Sequence, residues 1–427
     1  MSDPMRVLAV TSDPPQRPTS GYSIRNHHII KRLAARHRVW VLAYGSIEGA
    51  GGPLRDAGVE LRCVPWTPPW SKRLSQLASV FTIRSHLGGI LHTRAMQQEI
   101  DLIMAEVSFD VVLVEGSLLT RFEFGGTTPI VLDEHNVEYH LLRRTSHVER
   151  SLPRKTFGYV ECWKFRREEQ AACRRAAWCT FTSALERDLM ERDVPLAGSA
   201  VIPNGVDLAY FQPARPAGGG RGIVFTGRMD YRPNTDAVLH FVRDILPLIR
   251  RAQPDVAFTV VGGGAPAEVK RLAADGIVLT GGVPDVRPYL RDANVVVAPI
   301  RFGAGTRLKV LEALAMARPL VSTAVGCEGI DVVSAEHLLI ADSPRDFAGA
   351  VVRLLASPDA AASLGRRGRE LVEERYGWDE CGALMQSVLE QVVSLHGRDD
   401  ARRAQSPRRR TRCVEGVLSP PSVHATD

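Results

Sequence analysis

No stretch of this chain approaches the roughly 18 consecutive apolar residues that a membrane-spanning helix needs, so no such helix is expected. The start, MSDPMRVLAV, lacks the basic-then-apolar pattern of a secretory signal. A cytoplasmic protein is the expectation. Cysteine is sparse: Cys63, Cys162, Cys173, Cys179, Cys327, Cys381 and Cys413 form no CxxC pair and no Cys/His cluster with zinc spacing. Reduced, structural thiols follow, and neither a disulfide framework nor a structural zinc is expected.

Acidic charge is missing from two places. Residues 401–412, ARRAQSPRRRTR, carry six arginines and no acid, which alone equals the formal net charge of +6. Residues 143–175 hold ten Lys/Arg against four Glu. Neither block interleaves aromatics in a nucleic-acid reading motif, and no helix-turn-helix or finger pattern occurs, so nucleic acid is not an expected partner. In RKTFGYVECWKFRREEQAACRRAAW the cations alternate with Trp163, Phe165 and Trp178. That suits an anionic membrane surface as well as it suits a solvated helix edge. From His396 onward the Arg/Ser/Pro-rich composition predicts a disordered tail over 396–427.

What is present is an alternation of short apolar runs with amphipathic segments. MRVLAVTSDP, RVWVLAY, VELRCVP, FDVVLVEG and TPIVLDEHN read as strands with helical stretches among them, beginning with SIRNHHIIKRLAARH. That pattern argues for a parallel sheet wrapped by helices. Residues 194–222 are rich in Pro and Gly. The pattern then restarts with GIVFTG, AFTVVGGG, IVLTGG, NVVVAPI and PLVSTAV. The chain is therefore expected to be α/β with two Rossmann-like domains, 1–195 and 196–377, facing each other across a cleft. Ligands of such sheets bind at the carboxyl ends of the strands, so the loops there are where chemistry is sought.

The loop RFGAGTR follows NVVVAPI and opens a helix, LKVLEALAMA. Glycines permit positive φ and close approach, and a helix N-terminus carries about half a positive charge. Arg307 and Lys309 add full charges, a setting that suits a diphosphate. Glu312 lies one turn past the loop, where a carboxylate can accept from two neighbouring hydroxyls such as a ribose diol. Taken alone, the loop is better read as a simple turn with Glu312 solvated; the neighbouring motifs shift that balance.

GAGTRLKVLEALAMARPLVSTAVGCEGI resembles the donor-site segment of the retaining GT-B glycosyltransferases of family 4. VIPNGVD (201–207), FTGRMDYRPNTDAVLHFVRDILPLI (225–249) and SGYSIRNHHIIKRLAARHRVWVLAY (20–44) resemble its other motifs, in order, over most of residues 5–390. VLDEHNVEY and GRMDYRPN further resemble bacterial exopolysaccharide-cluster sugar transferases. The resemblance implies transfer of a sugar from a nucleotide-diphospho-sugar to a glycan or lipid-linked acceptor, with retention of configuration, in cell-surface polysaccharide biosynthesis. It also implies no cofactor and no essential metal, and no DxD-type cluster accompanies these motifs. It further implies that a helix at about 378–395 packs back on the first domain. Placement peripheral to the inner face of the plasma membrane would suit such an acceptor.

Residue by residue, the resemblance assigns the ribose hydroxyls to Glu312. The donor diphosphate and sugar fall to Gly303, Ala304, Gly305, Thr306 and Arg307, with Arg228 and Lys309 stabilising the leaving charge. Gly21 is expected to approach the donor phosphates and His135 to contact the transferred sugar, with Glu134 a weaker neighbour and Asp133 orienting the loop. Thr280, Gly282 and Val283 lie in the segment expected to read the base. Tyr22, Arg25 and Asn136 are acceptor candidates, with a solvated Arg25 as the alternative. Two departures stand out. Ala304 occupies the place of the first glutamate of a common pair, and Asn234 that of a common lysine, whose charge Arg232, Arg307 or Lys309 would supply. A nucleotide-sugar epimerase of the same fold and a non-catalytic nucleotide-sugar-binding partner are the competing readings.

Overall fold

The computed structural model describes residues 3–16, 20–46, 52–66, 79, 82–149, 151–214, 222–273, 276–303 and 305–405. Two sheets organise them, each all-parallel and each built from the apolar runs above. The first contains β1 (Arg6–Thr11), β2 (Arg38–Tyr44), β3 (Glu60–Val64), β4 (Val111–Glu115), β5 (Ile130–Glu134), β6 (Trp178–Phe181) and β7 (Ser199–Val201) in the order β3-β2-β1-β4-β5-β6-β7. The second contains β8 (Ile223–Thr226), β9 (Phe258–Val261), β10 (Ile277–Leu279), β11 (Val295–Ala298), β12 (Leu320–Ser322) and β13 (Leu339–Ile340) in the order β10-β9-β8-β11-β12-β13. Their central strands are buried along their length, as helices covering both faces require.

Both strand orders reverse direction once, between β1 and β4 and between β8 and β11. The loops at those two switch points diverge and leave a crevice. The helices that matter for it are α1 (Gly21–Ala34), α2 (Glu138–Val148), α3 (Leu152–Arg175), α4 (Arg232–His240), α5 (Leu308–Ala315) and α6 (Trp378–Gln405).

Two boundaries differ from the sequence reading. Ser199–Val201 pairs with β6, so the first sheet extends past residue 195. Three residues flanked by Pro and Gly give too short a pattern to read as a strand. At the other end α6 runs to Gln405 rather than stopping near 395. Alanine, arginine and glutamine in DDARRAQ are good helix formers, which corrects the disordered assignment for 396–405. Residues 406–427 lie outside the described residues.

Helix α6 belongs to the first domain although its chain arrives from the second. Trp378, Cys381, Met385, Val388, Leu389 and Val392 are buried in the same core as Val7, Ile29, Ile30, Val39 and Val41. His28 stacks on Trp378 at 4.9 Å, and a Cβ at Gly205 would lie 2.7 Å from that indole. The chain crosses between domains here: the Val206 amide donates to the Tyr376 carbonyl at 2.7 Å.

Candidate active site

The N-terminal wall begins with a capping box. The Ser20 hydroxyl accepts from the Ser23 amide, Ser23 returns the contact, and Gly21 becomes the first residue of α1. A Cβ at Gly21 would lie 3.7 Å from Leu308 Cδ1, so the N-termini of α1 and α5 meet across the crevice. The Tyr22 hydroxyl accepts from the Ser12 amide and donates to the Glu115 carbonyl, both at 3.0 Å. It thus ties together the loops after β1 and β4, and its ring lies 4.6 Å from that of His135.

His135 follows β5, and its Nε2 lies 2.8 Å from Glu115 Oε2. Burial pushes the imidazole down to about 4, so it is neutral at pH 7. Burial, with Asp133 beside it, drives the Glu115 carboxyl well above the usual range. Asp133 is instead held down at about 2, because Arg25 and Thr180 hydrogen-bond its charged form strongly enough to overcome burial. Glu115, Asp133 and His135 bring three potential ligand atoms within 4.8 Å of one another. A cation there would compete with the Arg25 guanidinium for Asp133.

Arg25 is neither solvated nor an acceptor group. Its side chain is completely buried; it grips Asp133 at 2.8 and 2.9 Å and donates to the Pro203 carbonyl at 3.0 Å and Asn204 Oδ1 at 3.2 Å. It therefore fastens α1, β5 and the VIPNGVD crossover together. Glu134 points to the opposite face of β5, where burial, with Glu169 beside it, drives its carboxyl well above the usual range. Asn136 is pressed against the donor loop: a Cβ at Gly305 would overlap its Oδ1. Its amide nitrogen donates to Glu138 at 3.3 Å, so Asn136 forms an inter-domain contact rather than an open acceptor position.

The C-terminal wall is set by β8 and β11. Gly227 follows β8 at φ 147°, with Gly262 so close that any side chain there would overlap the Gly227 carbonyl. Arg228 is largely exposed and pairs with Asp230, Nε to Oδ1 at 3.0 Å. Asn234 on α4 donates to the Arg228 carbonyl at 2.7 Å and accepts from Lys309 Nζ at 2.6 Å. The Lys309 ammonium, lying 4.1 Å from the Phe225 ring centroid, is thus brought to Asn234. Arg232 points elsewhere, to Glu149 at 2.9 Å.

Arg307 caps α5, nine-tenths buried, and donates to the Gly305 carbonyl. Burial and neighbouring Arg307 push Lys309 down to about 7, and burial raises Glu312 to about 7 against the pull of Lys309. Both groups sit where an ionic partner would restore their charge. The Thr306 hydroxyl is buried and has no hydrogen-bond partner among the described residues, and Thr226, just ahead of Gly227, is in the same condition. Gly303 (φ 140°) offers its carbonyl to Arg144 at 3.1 Å. Ala304 lies outside the described residues.

Thr280, Gly282 and Val283 flank this wall at one remove. The Gly281 carbonyl accepts from the Gly262 amide at 3.1 Å, Gly282 packs on Gly263, and Val283 joins the core beneath. Gly264 in turn adjoins Asp230, the partner of Arg228. The glycine turns after β8, β9 and β10 thus form one continuous ledge. A further contact across the crevice was not read from sequence: Arg144 on α2 holds Glu328 at 2.5 and 2.8 Å. Glu115 was likewise missed, although an acid ending the apolar run VVLVE at a strand's carboxyl end was its visible signal.

Residues 20–205 match the family model for the glycosyl transferase 4-like domain, and residues 220–357 match that for glycosyl transferases group 1. The chain belongs to the group 1, family 4 glycosyltransferases. As a glycosyltransferase of hexosyltransferase type, it has relatives with named activities. A GDP-mannose-dependent alpha-(1-6)-phosphatidylinositol monomannoside mannosyltransferase of Mycolicibacterium smegmatis is 29% identical over 60% of this chain and 72% of its own length. For the Mycobacterium tuberculosis (strain H37Rv) protein of the same name the figures are 30%, 46% and 56%, so the chain spans a little over half of that relative. The lipopolysaccharide core mannosyltransferase LpcC of Rhizobium leguminosarum is 27% identical over 44% and 60%. Among solved structures, sucrose-phosphate synthase from Thermosynechococcus elongatus superposes with TM-score 0.67 at 19% identity, over 92% of this chain and all of that one. Anabaena HepE in complex with UDP gives 0.64 at 12%, over 91% and all. At those identities the likeness establishes the fold, which is GT-B.

Proposed function

We propose that this glycosyltransferase moves a hexose from a nucleotide-diphospho-sugar to a lipid-linked acceptor, with retention of configuration, in the assembly of a cell-surface glycan or glycolipid. The observation that carries this reading is the group at the meeting of α1 and α5. There the Lys309 ammonium is held by Asn234, Glu312 follows one helical turn on, the Thr306 hydroxyl just ahead is buried without a partner among the described residues, and Gly21 at the start of α1 lies against Leu308 at the start of α5. A diphosphate placed against Lys309 and the α5 N-terminus would receive its developing charge there. Glu312 would accept from the ribose diol, and the 280–283 ledge would carry the base. His135, neutral and fixed by Glu115 and Tyr22, would face the transferred sugar. Closure of the domains through Arg144 and Asn136 would exclude water and suppress hydrolysis. No step calls for a metal or cofactor.

The relatives' names point to GDP-mannose as the first donor to try and to a phosphorylated lipid as the acceptor class. Work at the inner face of a membrane would fit the basic, tryptophan-bearing α3. The test is a melting-temperature screen with GDP-mannose, UDP-glucose and UDP-N-acetylglucosamine, followed by product analysis with and without a lipid-phosphate acceptor. A concentration-dependent rise with one donor, and transfer only when acceptor is present, is the expected result. Isomerisation of the donor without acceptor would make the protein an epimerase instead.

A further inference from the structure

Next to the donor loop is a cavity of about 550 Å³ between α2, the first half of α3 and the loop after β11. Arg143, Arg144, Arg301, His140 and His147 line it, and among the described residues no carboxylate does. Arg144 and Arg301 are each held by two hydrogen bonds to a carboxylate, Glu328 and Asp236. Arg143 is exposed and makes no ion pair or hydrogen bond among the described residues. Three guanidinium groups, two held in fixed orientation, form a setting suited to the oxygens of a phosphate.

The rest of the lining is apolar and leads outward. Tyr159 and Phe302 face the same cavity, as does Val148 at the end of α2. Along α3, Leu152 (76% exposed), Tyr159 (40%) and Trp163 (54%) recur at helical spacing, forming one exposed apolar stripe. Arg167 lies over the Trp163 ring at 4.9 Å, and Arg154 is exposed near Leu152. A soluble polyanion would use the cations and leave the stripe wet; a neutral lipid would use the stripe and leave Arg143 unpaired. Only an anionic amphiphile uses both.

We infer that this cavity binds the phosphate or diphosphate head of a long-chain lipid, with the chain laid along Leu152, Tyr159 and Trp163. The inference rests on the transferase reading, in which this lipid is the acceptor. Arg144 lines the cavity and also bonds the Gly303 carbonyl, so the head lies one side chain away from the donor loop.

Farnesyl diphosphate, inorganic pyrophosphate and farnesol would be titrated into the full chain by calorimetry, using wild type, Arg143→Glu, Trp163→Asp and Lys309→Ala. Farnesyl diphosphate is expected to bind at least tenfold more tightly than either fragment. Arg143→Glu should weaken it tenfold or more, and Trp163→Asp should bring it toward pyrophosphate. Unliganded melting temperatures check that the variants are folded; Arg143→Ala serves if the glutamate variant is not. No binding to wild type, indifference to Arg143, or loss through Lys309→Ala alone would overturn the site, the last by placing the ligand in the donor crevice. A chain that responds to no nucleotide-sugar refutes the transferase reading instead, and that measurement is separate.

Discussion

Burial disfavours the charged form of both Lys309 and Glu312, lowering one and raising the other to about 7, so donor affinity should depend on pH in both directions. A diphosphate beside Lys309 raises its pKa above about 7, so binding takes up a proton and weakens as pH rises past 7. Ribose hydroxyls donating to Glu312 lower its pKa below about 7, so binding releases a proton and weakens as pH falls. Donor affinity should therefore peak near pH 7, falling by up to about tenfold per pH unit on either side, the limit for one linked proton. Lys309→Arg should flatten the alkaline limb and Glu312→Gln the acid one, both read by calorimetry. Glu312→Ala should weaken the donor by roughly 100-fold, the scale of one or two charge-assisted hydrogen bonds, with the melting temperature little changed. Wild-type affinity in that variant would remove Glu312 from the site. Arg25→Ala belongs to a different class. It strands Asp133 in a fully buried position, and should cost about 3–5 kcal/mol of stability in urea unfolding. Glu312 stands out in the sequence because a lone acid interrupts an apolar helix beside a glycine loop, and its burial in the structure fits that setting. The role of Arg25 was not, because its partners lie 108 and 179 residues away and nothing local marks them.

Among the elements, the strands were legible because buried parallel strands read as continuous apolar runs, while Ser199–Val201 was too short to announce itself. The loop after β11 was legible in its backbone and not in its contacts. Gly303 and Gly305 do adopt positive φ, but the sequence did not indicate that Gly305 lies against Asn136 of the opposite domain. That contact ties the loop to the opposite domain. Gly305→Ala forces a side chain into left-handed backbone at about 1–2 kcal/mol and drives its Cβ into Asn136. Turnover should fall at least tenfold while melting shifts by only a few degrees. Adding Asn136→Gly should recover the part of the loss due to collision and not the part due to φ. Full turnover in the single variant would show that the domains need not meet here.

Across the whole molecule, the two domains are joined by the crossover near Val206 and by a helix that returns. Six side chains of α6, from Trp378 to Val392, lie in the core of the first domain. At about 2 kcal/mol for each buried side chain, their removal costs about 12 kcal/mol, within the roughly 5–15 kcal/mol by which a domain is stable at all. A chain ending at Gly377 should therefore lose the cooperative unfolding transition of its N-terminal half, although every strand of that half is retained. A chain ending at Gln405 should keep it, since the last of those buried residues is Val392. Differential scanning calorimetry of the two truncations separates these outcomes, and donor turnover adds a second readout. The shorter tail cut removes four of the six terminal arginines. If it abolished turnover while leaving the transition intact, those arginines would have a role that neither the crevice nor the core explains. A chain ending at Gly377 that still melted as wild type does would show that α6 is an appendage of the first domain and not part of its core.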